Sequence, residues 1–238
     1  MRTPMERISK AHVDFVTTGY LRLMEPIAAI LIKLRVSANA LTTIGTLSTV
    51  VGGIAFAFGH MHLGGFIVGI TAISDALDGI VARKSGQVTT FGAFYDSTLD
   101  RIADGALLAG LAFFYGTDPV HHSMPLLAMC LAGMIGTFMV SYTRSRAEAL
   151  GINAKVGVMQ RAERVILLVV PQALFGLALN GWVLAIVVTL LTVTAWITAI
   201  QRINFVRTST ALDKPASLRV LGDSPPATSR SAPRRAQP

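Results

Sequence analysis

The sequence is poor in charge and has almost no cysteine. Only 14% of its 238 residues are charged, whereas a soluble domain usually carries about 25%. The single cysteine, Cys130, excludes an intramolecular disulfide bond. Acidic residues are scarcer than basic ones, with 13 Asp and Glu against 21 Lys and Arg, which gives a formal net charge of +8. Because the chain is also 52% hydrophobic, its composition indicates an integral membrane protein and not a soluble domain.

Long apolar runs account for most of the chain. A helix rises about 1.5 Å per residue, so about 20 apolar residues cross the hydrocarbon of a bilayer. The runs predict an all-α integral membrane fold with six transmembrane helices, at 39–58, 62–83, 90–116, 123–147, 162–180 and 182–206. They lie within a predicted helical domain at 37–207.

The two ends of the chain differ from this domain. Residues 1–36 mix basic and apolar side chains, which predicts an amphipathic helix lying at the membrane interface. Residues 208–238 are rich in Ser, Pro, Ala and Arg and predict a disordered tail.

Basic residues are confined to one side of the predicted membrane. With six spans, all 21 Lys and Arg residues fall on the side that holds both termini, while the opposite loops carry none. This distribution predicts that both termini and that side of the protein are cytoplasmic. The positive charge then favours membrane lipid and phosphate groups as partners. Nucleic acid is disfavoured because no basic stripe is interleaved with aromatic residues.

Aspartates cluster in the stretch "SDALDGIVARKSGQVTTFGAFYDSTLDR", residues 74–101. Asp75 and Asp78 are three apart near the end of the second run, and Asp96 and Asp100 are four apart at the start of the third. Carboxylates at these spacings share a helix face, and a short connection makes the two helices neighbours. Converging carboxylates suit hard divalent cations, and two such ions can clamp the oxygens exchanged in phosphoryl transfer. The sequence therefore predicts a site for Mg²⁺ or Mn²⁺, with two ions.

A simpler alternative is that these aspartates are solvated helix ends, paired with Arg83, Lys84 and Arg101. Two glycines favour the functional interpretation: Gly79 follows Asp78 directly, and Gly92 precedes Asp96 by one turn. Glycine weakens a helix but lets a ligand approach the backbone closely.

The same stretch resembles the CDP-alcohol phosphotransferase family, whose signature is D-x-x-D-G-x-x-A-R-x8-G-x3-D-x3-D. All eight fixed positions match at the right spacing, at Asp75, Asp78, Gly79, Ala82, Arg83, Gly92, Asp96 and Asp100. The resemblance implies a membrane enzyme, usually homodimeric, in which an acceptor hydroxyl attacks the β-phosphate of a CDP-linked lipid and CMP leaves.

The family also implies roles for individual residues. Asp75, Asp78, Asp96 and Asp100 would bind the metal ions, and Asp100 would also serve as the general base. The CDP-lipid would contact Ser37, Asn39, Gly79, Arg83, Thr89 and Gly92. Ser37 and Asn39 lie in "SANALT", where the family often has T-P-N-x-L-T, so the proline of that corner is missing.

A second polar cluster bears on the acceptor. Arginines at the ends of the fourth to sixth runs suit a phosphate group that must be held in place, although they could instead bind anionic lipid headgroups. The predicted acceptor-phosphate site consists of Ser141, Arg144, Arg146, Arg161, Arg164 and Arg202. The stretch from Ser141 to Arg164 resembles phosphatidylinositol-phosphate synthases of actinobacterial type, with "RAER" in place of the more usual "RPER".

That resemblance implies CDP-diacylglycerol and inositol 1-phosphate as substrates. Glycerol 3-phosphate, used by phosphatidylglycerophosphate synthases, is the alternative acceptor. A divalent-metal transporter is the alternative that is not an enzyme, but it would need polar groups near the middle of the membrane. Here the carboxylates cluster at one end of the spans.

Overall fold

A computed structural model describes residues 24–211, apart from the side chains of residues 73–76 and 211. The greater part of the predicted interfacial helix and of the predicted tail therefore lies outside the described residues. Within them the chain forms helices and no strand. The helices are α1 over 24–33, α2 Ala38–Ala57, α3 Met61–Lys84, α4 Thr90–Thr117, α5 Met124–Ala149, α6 Arg161–Phe175 and α7 Trp182–Ala211, with a 3-10 turn at Leu179–Gly181.

The helix bounds follow the apolar runs closely for the first four predicted spans and depart from them for the last two. α6 ends at Phe175, before the predicted end at residue 180, because Gly176 and Asn180 have positive φ angles of 52° and 55°. α7 continues to Ala211, beyond the predicted end at residue 206. A helix can extend into water past the end of its apolar run, so hydropathy does not fix its last turn.

Among the residues that the structure describes, four helical segments are long and apolar enough to cross a membrane: α2, α3, α5 and the segment 179–210, which covers nearly all of α7. α4 carries four charged residues among its first 15, and α6 has only 15 residues. The all-helical prediction is confirmed for the described residues. The crossing of the membrane by α4 and α6 stays a prediction.

Close backbone contact holds α2 against α4. A Cβ atom added to Gly110 would lie 2.1 Å from the carbonyl oxygen of Gly53, so the two helices touch at their glycines. Further along, the hydroxyls of Thr43 on α2 and Tyr95 on α4 are 2.9 Å apart. This contact brings the start of α4 to the start of α2.

The other helices complete the bundle around a core that includes Phe56, Leu111, Phe114, Leu184 and Val188. α1 packs on α3 through buried apolar side chains, and α5 packs along α7. The polar ends of α2 to α7 meet at one end of this bundle, and two cavities open there.

Candidate active site

The first cavity, called here the motif cavity, has a volume of about 320 Å³ and lies between the start of α2, the end of α3 and the start of α4. It brings together seven residues that the sequence predicts for the metal and CDP-lipid sites. They are Asn39, Asp78, Gly79, Arg83, Thr89, Gly92 and Asp96. Thr42 and Gln87, which were not predicted, also line it.

Asp78 is nearly buried, with 9% of its surface exposed. The hydroxyl of Thr42 donates a hydrogen bond to the Asp78 carboxylate at 2.8 Å. A buried carboxylate needs such donors because it has lost its water. Thr42 therefore helps to fix Asp78 at the wall of the motif cavity. This role was not predicted from the sequence, although Thr42 is the last residue of "SANALT".

Gly92 and Gly79 keep this cavity open. A Cβ atom on Gly92 would lie 3.1 Å from Thr89 Oγ1 and 3.4 Å from Asn39 Oδ1. A Cβ atom on Gly79 would lie 3.4 Å from a guanidinium nitrogen of Arg83. A side chain at either position would take up space beside polar groups that a ligand needs.

Two of the predicted polar residues cap helices. Thr89 is the N-cap of α4, and its hydroxyl accepts a hydrogen bond from the Gly92 amide at 2.9 Å. Ser37 is the N-cap of α2, where it accepts from the Ala40 amide at 3.2 Å. Ser37 is not among the residues that line the motif cavity. Its position assigns it to the helix terminus, next to the cavity.

The donors available to a metal ion in this region are carboxylate oxygens. Asp78 and Asp96 line the motif cavity, Asp100 lies one turn beyond Asp96, and the side chain of Asp75 lies outside those described. Among the described side chains, no three His, Cys, Asp or Glu residues are close enough to hold an ion. The donor chemistry nevertheless fits a hard divalent cation, because Mg²⁺ and Mn²⁺ prefer oxygen ligands.

The second cavity, called here the basic cavity, has a volume of about 510 Å³ and lies between α4, α5, the segment 155–160, α6 and α7. Its charged lining residues are Asp100, Arg101, Asp104, Arg144, Lys155, Arg161, Arg164 and Arg202. Ser141 also lines it, so five of the six residues predicted for the acceptor phosphate lie here. Six cationic side chains against two carboxylates favour an anionic ligand.

Arg146 is the one residue of the predicted acceptor-phosphate site that lies outside the basic cavity. It is exposed on α5 and does not line the basic cavity, whereas Arg144 does. Two residues along a helix turn the side-chain direction by about 200°, so the two arginines leave opposite sides of α5. Arg146 is therefore not positioned to hold a phosphate in this cavity.

The start of α6 adds to the positive character of the basic cavity. The amide of Gln160 donates to Glu163 Oε2 at 2.7 Å, which closes a capping box at the first turn. Arg161 and Arg164 both project from this turn. A helix N-terminus favours bound anions because the positive end of the helix dipole lies there.

Arg202 braces the cavity wall. It is 8% exposed, its Nε donates to the Val156 carbonyl at 2.9 Å, and a second nitrogen donates to the Val140 carbonyl. These bonds tie α7 to α5 and to the segment that carries Lys155. Lys155 and Gln160 were not predicted as site residues, although both belong to the basic connection between the fourth and fifth runs.

Asp100 lines the basic cavity at the point on α4 where that cavity comes nearest in sequence to the motif cavity. Its Oδ1 lies 2.9 Å from Nη2 of Arg161, so it faces the basic cavity, while Asp96 faces the motif cavity one turn earlier on α4. The two cavities therefore adjoin along α4.

Comparison with known proteins identifies the family. Residues 35–215 match the model of the CDP-alcohol phosphatidyltransferase family. The chain therefore belongs to this family, and the resemblance seen in the sequence is confirmed. Its apolar helices and its family together make it an integral membrane protein and a transferase of this type.

Named relatives are phosphatidylinositol phosphate synthases. The Cutibacterium acnes protein of that name is 36% identical over 203 residues, which cover 82% of this chain and 97% of the relative. A crystal structure of the Mycobacterium tuberculosis enzyme with CDP-DAG bound superposes with a TM-score of 0.72 at 32% identity, covering 79% of this chain and 94% of that one. The same enzyme in complex with manganese and citrate gives a TM-score of 0.72, at 32% identity and over 78% and 89% of the two chains.

Proposed function

We propose that this protein transfers the phosphatidyl group of CDP-diacylglycerol to a hydroxyl of inositol 1-phosphate and releases CMP. The observation that carries the proposal is the pair of adjoining cavities, one lined by the family motif and the other by six cations. The names of the relatives in Cutibacterium acnes and Mycobacterium tuberculosis support the same substrates.

The motif cavity is the proposed site of the CDP headgroup. Gly79 and Gly92 leave room for the nucleotide beside the helix backbones, and Arg83 supplies a guanidinium group at the cavity rim. Asn39 and Thr89 offer polar atoms to the cytidine and its ribose, and Ser37 supports this corner by capping α2. The acyl chains of the donor would remain in the surrounding bilayer.

Asp75, Asp78, Asp96 and Asp100 are the proposed ligands of two divalent cations, Mg²⁺ or Mn²⁺. When bound, such ions neutralise the diphosphate and stabilise the charge that develops on its oxygens. Thr42 contributes indirectly, because its hydrogen bond holds the buried Asp78 carboxylate in place.

Asp100 is the proposed general base. In the reaction, the acceptor hydroxyl oxygen forms a bond to the phosphorus atom that carries the diacylglycerol. The bond from that phosphorus to the bridging oxygen breaks, CMP leaves with that oxygen, and the hydroxyl proton passes to the Asp100 carboxylate. Asp100 suits this task because it lines the basic cavity one helical turn beyond Asp96, which lines the motif cavity. A positioned base of this kind typically contributes about 10² to 10⁴-fold to the rate.

The basic cavity favours a phosphorylated acceptor over free inositol or serine. Ser141, Arg144, Arg161, Arg164, Arg202 and Lys155 would surround the acceptor phosphate. An uncharged acceptor would leave an excess of positive charge in the cavity, because six cations face only two carboxylates there. Glycerol 3-phosphate carries the same group, so phosphatidylglycerophosphate synthesis is the second candidate reaction, and the names of the relatives favour inositol phosphate.

We also propose a membrane arrangement. The six helices α2–α7 would all cross the bilayer, with α4 and α6 shielded by the other helices, and both termini and the active site would be cytoplasmic. The distribution of all 21 basic residues on one side supports this orientation. We retain the expectations of an interfacial helix within residues 1–36, a helical domain at 37–207, a tail beyond it and a homodimer.

The test is an acceptor panel with purified protein in detergent or lipid nanodiscs. CDP-diacylglycerol and Mg²⁺ would be combined with inositol 1-phosphate, glycerol 3-phosphate, free inositol or serine. CMP release and the mass of the lipid product would be measured for each acceptor. Inositol 1-phosphate should give the highest kcat/KM and free inositol little product.

Each other outcome has a definite meaning. Preference for glycerol 3-phosphate would reject the inositol assignment and keep the phosphate site. Preference for free inositol or serine would reject the phosphate site as well. Absence of CMP release with every acceptor, in protein that binds CDP-diacylglycerol, would reject the proposed reaction.

A further inference from the structure

Asp104 lines the basic cavity and contacts two of its arginines. Its Oδ1 is 3.5 Å from Nε of Arg161, and its Oδ2 is 4.0 Å from Nη2 of Arg164. Each carboxylate oxygen therefore faces a different guanidinium group. The side chain of Asp104 is 11% exposed and that of Arg164 is 8% exposed, so water screens this contact weakly.

Asp104 is placed away from the bonds that change in the proposed reaction. It follows Asp100 by one turn, which puts it about 6 Å further along α4. It lines the basic cavity but not the motif cavity, where the diphosphate would bind. Its described contacts are with side chains of α6, which hold the acceptor phosphate in the proposed function.

The arginines need a partner that keeps their orientation. Arg164 has one further described contact, a hydrogen bond of 3.4 Å from Nη1 to the Met159 carbonyl. Arg161 reaches both Asp100 and Asp104. A guanidinium group binds a phosphate well only when its planar fork points at the oxygens, and like charges close together would otherwise splay apart.

We infer that Asp104 is a positioning residue for the acceptor: it aims Arg161 and Arg164 into the basic cavity and so sets the affinity for the acceptor's phosphate. This inference rests on the proposed function. A positioning role and a simple charge effect predict opposite changes in the affinity for the acceptor when Asp104 is neutralised. Removing a negative charge beside an anion site should strengthen anion binding if charge alone matters, and should weaken it if Asp104 orients the arginines.

The experiment compares Asp104→Asn with the wild-type protein at saturating Mg²⁺. The KM for inositol 1-phosphate and the KM for CDP-diacylglycerol would be measured separately. The acceptor KM should rise by about ten-fold or more, since small displacements of positioning groups have effects of this size. The KM for CDP-diacylglycerol should change less than about two-fold, because Asp104 lies outside the motif cavity.

Glu148→Gln is the matched control. Glu148 is also a carboxylate paired with an arginine of the basic cavity, since its Oε1 lies 2.9 Å from Nε of Arg144, but its side chain is 47% exposed. The substitution removes the same charge without disturbing a buried pair. Its acceptor KM should stay within about two-fold of the wild-type value, or fall slightly.

A second readout does not depend on turnover. Inorganic phosphate should raise the thermal unfolding temperature of the wild-type protein by occupying the basic cavity. This shift should be smaller in Asp104→Asn and retained in Glu148→Gln.

An unchanged or lowered acceptor KM in folded Asp104→Asn would overturn the inference. If Asp104→Asn does not fold, Asp104→Glu is used as the test variant, because it keeps the charge and moves the carboxylate by one methylene group. A raised acceptor KM in Asp104→Glu, with the KM for CDP-diacylglycerol unchanged, would support the positioning role, and an unchanged acceptor KM would overturn it. Failure of the wild-type protein to use any phosphorylated acceptor would instead reject the proposed function itself.

Discussion

Replacing Arg144 and Arg146 separately by Gln tests whether a defined cavity holds the acceptor phosphate. The two residues lie two positions apart on α5 and carry the same charge, but only Arg144 lines the basic cavity. Anionic lipid headgroups would be attracted by both arginines alike, because such a field is diffuse. A phosphate held in the cavity should depend on Arg144 and not on Arg146.

The expected size of the effect follows from exposure. A hydrogen bond to a charged group contributes about 1.5–3 kcal/mol when it is well sheltered. The side chain of Arg144 is 45% exposed and already pairs with Glu148, so the lower end of that range applies. About 1.4 kcal/mol corresponds to a ten-fold change in binding. The KM for inositol 1-phosphate should therefore rise about ten-fold in Arg144→Gln, and by about two-fold or less in Arg146→Gln.

Initial rates of CMP release would be measured in nanodiscs with two contents of anionic lipid. Arg144→Gln should show its raised acceptor KM at both contents, with the KM for CDP-diacylglycerol nearly unchanged. Equal effects of the two substitutions, or effects that disappear when the anionic lipid is changed, would refute the cavity argument. The aspartate chemistry could still hold in that case.

Three further predictions concern the motif cavity and the fold. Asp100→Asn should keep CDP-diacylglycerol binding, measured by thermal shift, and lose about 10² to 10⁴-fold in turnover because an amide cannot accept the proton. Equal losses of binding and turnover would contradict a role of Asp100 as the base. Gly92→Ala should raise the KM for CDP-diacylglycerol and leave the acceptor KM unchanged, because its Cβ would lie 3.1 Å from Thr89 Oγ1 inside the motif cavity. An unchanged KM for CDP-diacylglycerol would mean that the nucleotide binds elsewhere. Gly110→Ala should lower the unfolding temperature of the protein, because its Cβ would lie 2.1 Å from the Gly53 carbonyl oxygen. An unchanged unfolding temperature would contradict the close packing of α2 on α4.

The helices could be predicted well from the sequence because the membrane imposes a length on each apolar run. The run at 62–83 predicts α3, which spans Met61–Lys84. The prediction failed at the end of α6, where backbone conformation decides: the positive φ of Gly176 stops the helix while the sequence is still apolar. Hydropathy reports where side chains can lie in lipid and carries no information on the φ angle of a single residue.

The motif residues could also be predicted from the sequence, because they lie close together along the chain. Asp78, Gly79 and Arg83 belong to one helix, and a short connection fixes the distance to Gly92 and Asp96. Contacts between distant segments were not accessible in this way. The pairing of Asp104 with Arg161 spans more than fifty residues, and the assignment of Arg144 but not Arg146 to the cavity requires knowing which face of α5 points inward.

The three aspartates of α4 explain why carboxylates occur in such an apolar chain. Asp96, Asp100 and Asp104 are spaced by four residues, and each step of four advances about 6 Å along the helix and about 40° around it. From Asp96 to Asp104 the side-chain direction therefore turns by about 80° around the helix. This rotation is enough for Asp96 to line the motif cavity while Asp104 contacts the arginines of α6. Asp100 lies midway and within 2.9 Å of Arg161, where donor and acceptor would meet. The regular spacing of four gives one helix three environments, and in the proposed reaction these correspond to binding the metal, accepting the proton and aiming the arginines.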